Sequence, residues 1–194
     1  YERQRDKKEI FENKIMNRFF FYCALALYLL STGFYLIYLI KNKDYLEKTG
    51  HYLFITGFFA HLVATMIRYL EAGYTPITNI YESLSFFSLC TAGFFLYLKG
   101  IFKTGILGAI ILPVISIILI WASTFPFEIK PLPPVLKSYW LPIHTFFSFA
   151  GNGIFLVGFF VSILYIVLER GIKRKNLHSI LKRLPSLEVL DTIN

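Results

Sequence analysis

The stretch FFFYCALALYLLSTGFYLIYLI, Phe19 to Ile40, holds 22 residues without a charge. At 1.5 Å per residue it makes a helix of about 33 Å, enough to cross a hydrocarbon core roughly 30 Å thick. The rest of the chain agrees with lipid as its solvent. Of 194 residues, 56% are hydrophobic, 19% aromatic and only 16% charged, and the mean hydropathy is +0.57. A soluble domain carries about 25% charged residues. A chain this short cannot hide 21 Phe and 13 Tyr in one water-surrounded core without exposing large apolar patches.

Outward from that span, four more apolar stretches follow: Tyr52 to Leu70, interrupted by His61 and Arg68; Ile77 to Leu98, with Glu82 near its start; Thr104 to Thr124; and Leu141 to Leu168. Pro113 should kink or break the fourth helix. The predicted fold class is therefore an all-α polytopic membrane protein of about five transmembrane helices. It occupies residues 19–168, between a charged arm (1–18) and a basic segment (169–194). No strand alternation or internal repeat competes with this reading.

The net charge of +8 is distributed in clusters between apolar blocks, with no exposed aromatics interleaved, which argues against a nucleic-acid partner. Lys41, Lys43 and Lys48, then Lys99 and Lys103, then Arg170, Lys173, Arg174, Lys175, Lys182 and Arg183 mark three cytoplasmic connections by the positive-inside rule. The turn Glu71 to Pro76 and the loop 122–142, whose only bases are Lys130 and Lys137, are then external. Five crossings put the N-terminus outside despite Arg3, Arg5, Lys7, Lys8, Lys14 and Arg18. Glu2, Asp6, Glu9 and Glu12 dilute that charge, and a segment continuing from an external domain is translocated regardless. The opening run has no signal-peptide layout, which predicts a chain continuing from a longer polypeptide. Cys23 and Cys90 sit among apolar residues and read as small buried hydrophobes. No C-x-x-C-H is present for attaching haem to the chain itself.

Two places are polar enough for chemistry. In RYLEAGYTPITNIYESL, Arg68 to Leu84, Gly73 and Pro76 make a turn, and Thr78 or Asn79 can cap the next helix. Glu82 falls in that helix's first turn, where the dipole favours a carboxylate. Capping and a functional role are both open for these residues. In WASTFPFEIKPLPPVLKSYWLPIH the prolines at 126, 131, 133 and 134 prevent a helix, and the apolar residues predict a loop lying on the membrane face. Trp140 and Tyr139 suit an interfacial aromatic belt. Of four histidines, His51 and His178 lie in basic stretches and read as solvated. His61 is mid-membrane, either a functional group or a neutral side chain bonding a neighbouring helix. His144, membrane-adjacent and flanked by aromatics, is the best ligand candidate, though one imidazole is at most half of a bis-histidine site.

The run EAGYTPITNIYESLSFF resembles the G-x-x-P-[LI]-[ST]-N-[LI]-Y-E-S-L stretch of the CcsA family, the haem-handling membrane subunit of system II cytochrome c synthases. LPPVLKSYWLPIHTFFSFAGNGIFLVGFFVSILYIVLER is similar to that family's L-x-S-x-W-L-x-x-H segment and following helix. The likeness extends over roughly Leu53 to Arg170. It implies that His144 is an axial ligand of haem iron at the external face. It also makes Trp140, Asn79, Tyr81 and Glu82 candidates for contact with the haem b bound as substrate. The implied reaction is thioether formation with an apocytochrome c C-x-x-C-H, so the implied activity is that of a cytochrome c synthase. A CcsB-like subunit or fused domain and the bilayer are the further partners. The implied location is a bacterial cytoplasmic membrane, with the haem site on the periplasmic face. The family's tryptophan-rich W-G-x-x-W-x-W-D stretch and second external His have no counterpart in this sequence, whose only tryptophans are Trp121 and Trp140. The expectation is a fragment that does not complete the reaction alone. Two other classes remain: an ion or proton path using His61, Arg68, Glu71 and Glu82, and a structural subunit whose turn and loop dock partners.

Overall fold

A computed structural model describes residues 2–101, 105–129, 138, 140–173 and 186–193, with the side chains of 2–13, 188, 192 and 193 outside the description. Among the described residues there are six helices and no strand: α1 (Glu2–Lys41), α2 (Asp44–Ala72), α3 (Ile80–Ile101), α4 (Gly105–Ser123), α5 (Trp140–Lys173) and a short α6 (Leu187–Ile193). Five of them are long and apolar enough to cross a membrane. The protein is an all-α, polytopic membrane protein.

The elements depart from the sequence reading where local chemistry overrides hydropathy. The charged arm is not separate from the first span, since α1 runs through it without a break from Glu2 to Lys41. At 40 residues it is about 60 Å long, twice the hydrocarbon thickness. The connection after it shrinks to Asn42 and Lys43, with Asn42 in the left-handed region at φ 49°. Residues 77–79 leave the third span because Asn79 caps it. Pro113 lies inside α4 and does not break it, as membrane helices tolerate where neighbours pack around the freed backbone.

Close packing of small residues on aromatic rings sets the helix pairs. α1 lies along α2 and also touches α4, while α3 bridges α4 and α5. Tyr35 of α1 is fully buried, gripped between Gly50 of α2 and Gly108 of α4. A Cβ at Gly50 would come within 2.9 Å of its ring, and one at Gly108 within 2.7 Å of Cδ1. About two turns away, Gly57 meets Tyr28 at the same 2.9 Å. α4 forms the centre, burying Ile106, Leu107, Ile111, Leu112, Ile115 and Leu119. Hydrogen bonds between side chain and backbone, Asn17 Nδ2 to Ala64 O (3.1 Å) and Ser31 Oγ to Gly50 O (2.7 Å), tie α1 to α2 where water is absent.

Alternating helix directions bring residues 14–22, 68–82, 121–129 and 140–149 to one end of the bundle. The other end gathers Lys41, Lys43, Lys48, Lys99, Arg170 and Lys173. There the Lys99 ammonium pairs with the Glu47 carboxylate of α2, and Leu190 of α6 is buried against α5. Lys103, His178 and the bases at 174, 175, 182 and 183 fall outside the described residues, as do Lys130 to Lys137 and Tyr139 of the long loop.

Candidate functional site

The α2–α3 turn builds the first part of the site. α2 ends at Gly73, whose φ of 71° suits a residue with no Cβ, and whose N–H donates to Tyr69 O at 2.9 Å. Asn79 caps α3, its Oδ1 accepting the Glu82 N–H at 2.8 Å. The Glu82 carboxylate folds back, and its Oε2 accepts the Thr78 N–H (2.8 Å) and Thr78 Oγ1–H (2.9 Å). This reciprocal arrangement is a capping box shifted by one residue.

The other carboxylate oxygen faces α2. Arg68 donates to Glu82 Oε1 through Nε at 3.0 Å and Nη2 at 2.9 Å, with side chains only 5% and 0% exposed. Nη1 of the same guanidinium donates to the main-chain carbonyl of Phe127 at 2.7 Å. Asn79 Nδ2 donates to the carbonyl of Glu128, one residue on, at 3.3 Å. The Phe127 ring turns inward beside Tyr81 (4.2 Å between centroids), Phe21 (5.4 Å) and Tyr22 (5.9 Å), and Arg18 lies over it at 5.0 Å. Tyr81 is itself buried, with the Arg68 guanidinium over its face at 5.5 Å.

Asn79, Tyr81 and Glu82 are thus brought together, with their contacts made inside the protein. Tyr81 and Glu82 present no open surface, and both sides of the Asn79 amide are engaged. Arg68 and Phe127 are the residues that complete this unit. The sequence signalled Arg68 as a charge in an apolar span and as a member of an alternative ion path, and Phe127 not at all as a plug.

His144 stands elsewhere, on the first turns of α5. Ser138 starts that helix, its Oγ accepting the Trp140 N–H at 3.3 Å and its carbonyl the Leu141 N–H at 3.2 Å. Helical spacing places Trp140, His144 and Phe147 on one face. Trp140 is 75% and Phe147 68% exposed, and His144 is exposed as well. The His144 imidazole has no hydrogen-bond partner among the described residues. The opposite face of α5 packs on α3, with Phe146 and Phe149 against Phe86 (6.4 and 5.7 Å) and Gly153 against Thr91. An apolar cleft of about 650 Å³ between α2, α3 and α5, lined by residues such as Met66, Cys90 and Phe146, also opens on that side. His144 does not line it.

The remaining candidates resolve into packing. His61 is fully buried and shares a hydrogen bond of 2.9 Å with Ser85 Oγ of α3, the neighbour-bonding alternative for this residue. Cys23 and Cys90 are free, partly buried thiols. Among the described residues no three His, Cys, Asp or Glu side chains gather as metal ligands. An exposed, unengaged imidazole between two exposed aromatic rings fits one axial ligand of a flat, apolar macrocycle.

The fold and these two separate features, the buried polar turn and the exposed imidazole, define a helical membrane protein. Residues 77–194 match the sequence family of cytochrome C assembly proteins, and the chain belongs to that family. It is similar to the protein named cytochrome c biogenesis protein CcsA from Chlorella vulgaris, 29% identical over 169 residues, which are 83% of this chain and 51% of that protein. It is 36% identical over 108 residues to CcsA of Synechococcus elongatus (54% of this chain, 33% of that protein). To CcsA of Porphyra purpurea it is 33% identical over 108 residues (54% and 34%). The chain spans about half the length of these curated relatives or less.

Proposed function

We propose that this chain is part of a CcsA-type apparatus of cytochrome c biogenesis, in which His144 holds the iron of haem b at the external membrane face. The observation that carries the reading is the outer face of α5, where His144 lies exposed between Trp140 and Phe147. Family membership supports it. A neutral imidazole binds iron through one nitrogen, and the flanking rings pack on the porphyrin. This face is exposed among the described residues, so further residues that would hold the haem would have to come from outside them.

The reaction is attachment of haem to an apocytochrome c, with thioether bonds forming between the haem vinyl groups and the two thiols of the partner's C-x-x-C-H. This chain contributes position, since His144 fixes the iron, while the α2–α3 turn holds the main chain at Phe127 and Glu128. The thiols come from the partner. The apparatus includes a CcsB-like subunit or fused domain and sits in a bacterial cytoplasmic membrane. Its basic end faces the cytoplasm and His144 the periplasm, an orientation supported by Lys41, Lys43, Lys48, Arg170 and Lys173 at one end of the bundle. An ion path through the helices is less well supported, because Arg68 and Glu82 are paired with each other and His61 is bonded to Ser85.

In the intact protein, His144→Ala should lose cytochrome c maturation and most bound haem, and added imidazole should restore part of both. His61→Ala should disturb packing and leave ligation intact. A His144→Ala protein with a wild-type low-spin haem spectrum and full maturation would sink the assignment.

A further inference from the structure

We propose that the outer face of α5 around Asn152 is the docking face for a further transmembrane helix, which comes from the part of a CcsA-type protein that this chain does not match and brings an uncharged hydrogen-bonding side chain to the Asn152 amide. Counted from Trp140, Asn152 lies about 18 Å along α5, well inside a hydrocarbon core roughly 30 Å thick. It is the only amide or charged residue between His144 and Glu169. Elsewhere in the bundle such groups point inward: Asn17, His61, Arg68 and Glu82 are all buried, and each hydrogen-bonds another helix. Asn152 is instead exposed, with no hydrogen-bond partner among the described residues. Polar side chains within membrane spans face a protein interior, so this position belongs to an interior that these helices leave incomplete.

Lipid cannot cover such a group. An amide carries two N–H donors and an acceptor oxygen, and hydrocarbon meets none of them. Hydroxyls in these spans avoid the problem by turning back on their own helix, as Thr56 does to Tyr52 O, Thr65 to His61 O and Thr91 to Phe87 O, each at 2.9 Å. Asn152 makes no such bond, and one bond of that kind would leave the rest of the amide unmet. In an all-α membrane protein the cover at this depth is a helix, which satisfies its own backbone, and its side chain must both donate and accept. Gly151, next to Asn152, has nothing within 4 Å of its Cβ position, so a neighbouring backbone can come close. The opposite face of α5, with Gly153, Val157, Val161 and Leu164, is already buried, and the docking contact is separate from it. The source of the helix follows from length. The matched residues make up only 51%, 33% and 34% of the three CcsA relatives, so proteins of this kind have chain enough for further spans. A second copy of this chain, pairing Asn152 with Asn152, is the alternative that the test separates. None of this depends on His144 as the iron ligand.

The test uses the intact protein in its own membranes, with a photoreactive diazirine amino acid at position 155. Phe155 is 77% exposed and lies three residues on from Asn152, on the same side of α5. After irradiation and digestion, mass spectrometry identifies the linked peptide. The expected peptide is an apolar segment that aligns with the unmatched part of the CcsA relatives and holds a Ser, Thr, Asn, Gln or His. Asn152→Leu should lower the yield of that crosslink about threefold, the size of an average interhelical hydrogen bond in a membrane. Asn152→Gln keeps the amide and should restore most of the yield. A link to α5 of a second copy, a link to an unrelated protein, or adducts with lipid alone would overturn the inference, as would an unchanged yield in Asn152→Leu. The first measurement is made with Asn152 in place, so it decides the identity of the docking helix even if Asn152→Leu lowers the amount of folded protein.

Discussion

Replacing Asn79 separates the two jobs of its side chain. Asn79→Ala removes the cap on the Glu82 N–H and the bond to the Glu128 carbonyl together; Asn79→Ser keeps a cap oxygen and cannot reach Glu128. The cap bond is short, 2.8 Å, and losing such a cap costs about 0.5–2 kcal/mol. The second bond is long, 3.3 Å, and exposed, so it contributes near the lower end of the usual range, about 0.5 kcal/mol. The Ala variant should therefore lose about 1–2.5 kcal/mol and the Ser variant about 0.5 kcal/mol. For a chain of this size about 1 kcal/mol shifts the midpoint by roughly 2–4 °C, giving a drop of about 2–10 °C for Ala and about 1–2 °C for Ser. Thermal unfolding of the detergent-solubilised protein, followed by tryptophan fluorescence, measures both. Equal losses in the two variants would show that the cap contributes nothing and that the Glu128 contact carries the whole effect. No loss in either would refute the account of the turn.

Two further outcomes test the frame and its orientation. Gly108→Ala places a methyl group inside the Tyr35 ring and should destabilise the α1–α4 contact by about 1–3 kcal/mol; Tyr35→Leu should relieve part of that loss, which a measurement of the four combinations as a thermodynamic cycle would reveal. In a background lacking both native cysteines, Glu128→Cys should react with a membrane-impermeant thiol reagent in intact cells and Lys173→Cys should not, and the reverse pattern would invert the topology.

Much of the fold was legible because hydropathy is a long-range average: five apolar stretches appear as five spanning helices whatever their details. Helix ends were less legible, since they depend on single atoms. The third span was read from Ile77, yet α3 starts at Ile80 because the Asn79 oxygen accepts the Glu82 N–H, a choice between Thr78 and Asn79 that composition leaves open. The polar arm before Phe19 looked separate because its charges break the apolar run, but charged residues are good helix formers beyond the bilayer and α1 continues through them. Whether Pro113 would kink or break its helix was open for a related reason, and the helix is not broken. Its cost is set by what surrounds the freed carbonyl, and that is a property of packing.

The candidate site divides in the same way. The exposed position of His144 at the start of α5 was legible because an imidazole beside tryptophan at a span's mouth is a local pattern, and its freedom from partners among the described residues needs no distant residue to explain it. The turn's purpose was not legible, because Arg68, Glu82 and Phe127 lie 14 and 59 residues from one another along the pairs Arg68–Glu82 and Arg68–Phe127. Only the bundle brings the guanidinium under the carbonyl. Read along the sequence, Glu82 was a helix-start carboxylate and Arg68 an intruder in an apolar span. In space each offsets part of the other's loss of water, and a further N–H of the guanidinium reaches the carbonyl of Phe127. That is why substitutions at Arg68 or Glu82 should loosen the hold on the main chain at Phe127, whereas substitution at His144, which takes no part in this unit, should leave it in place.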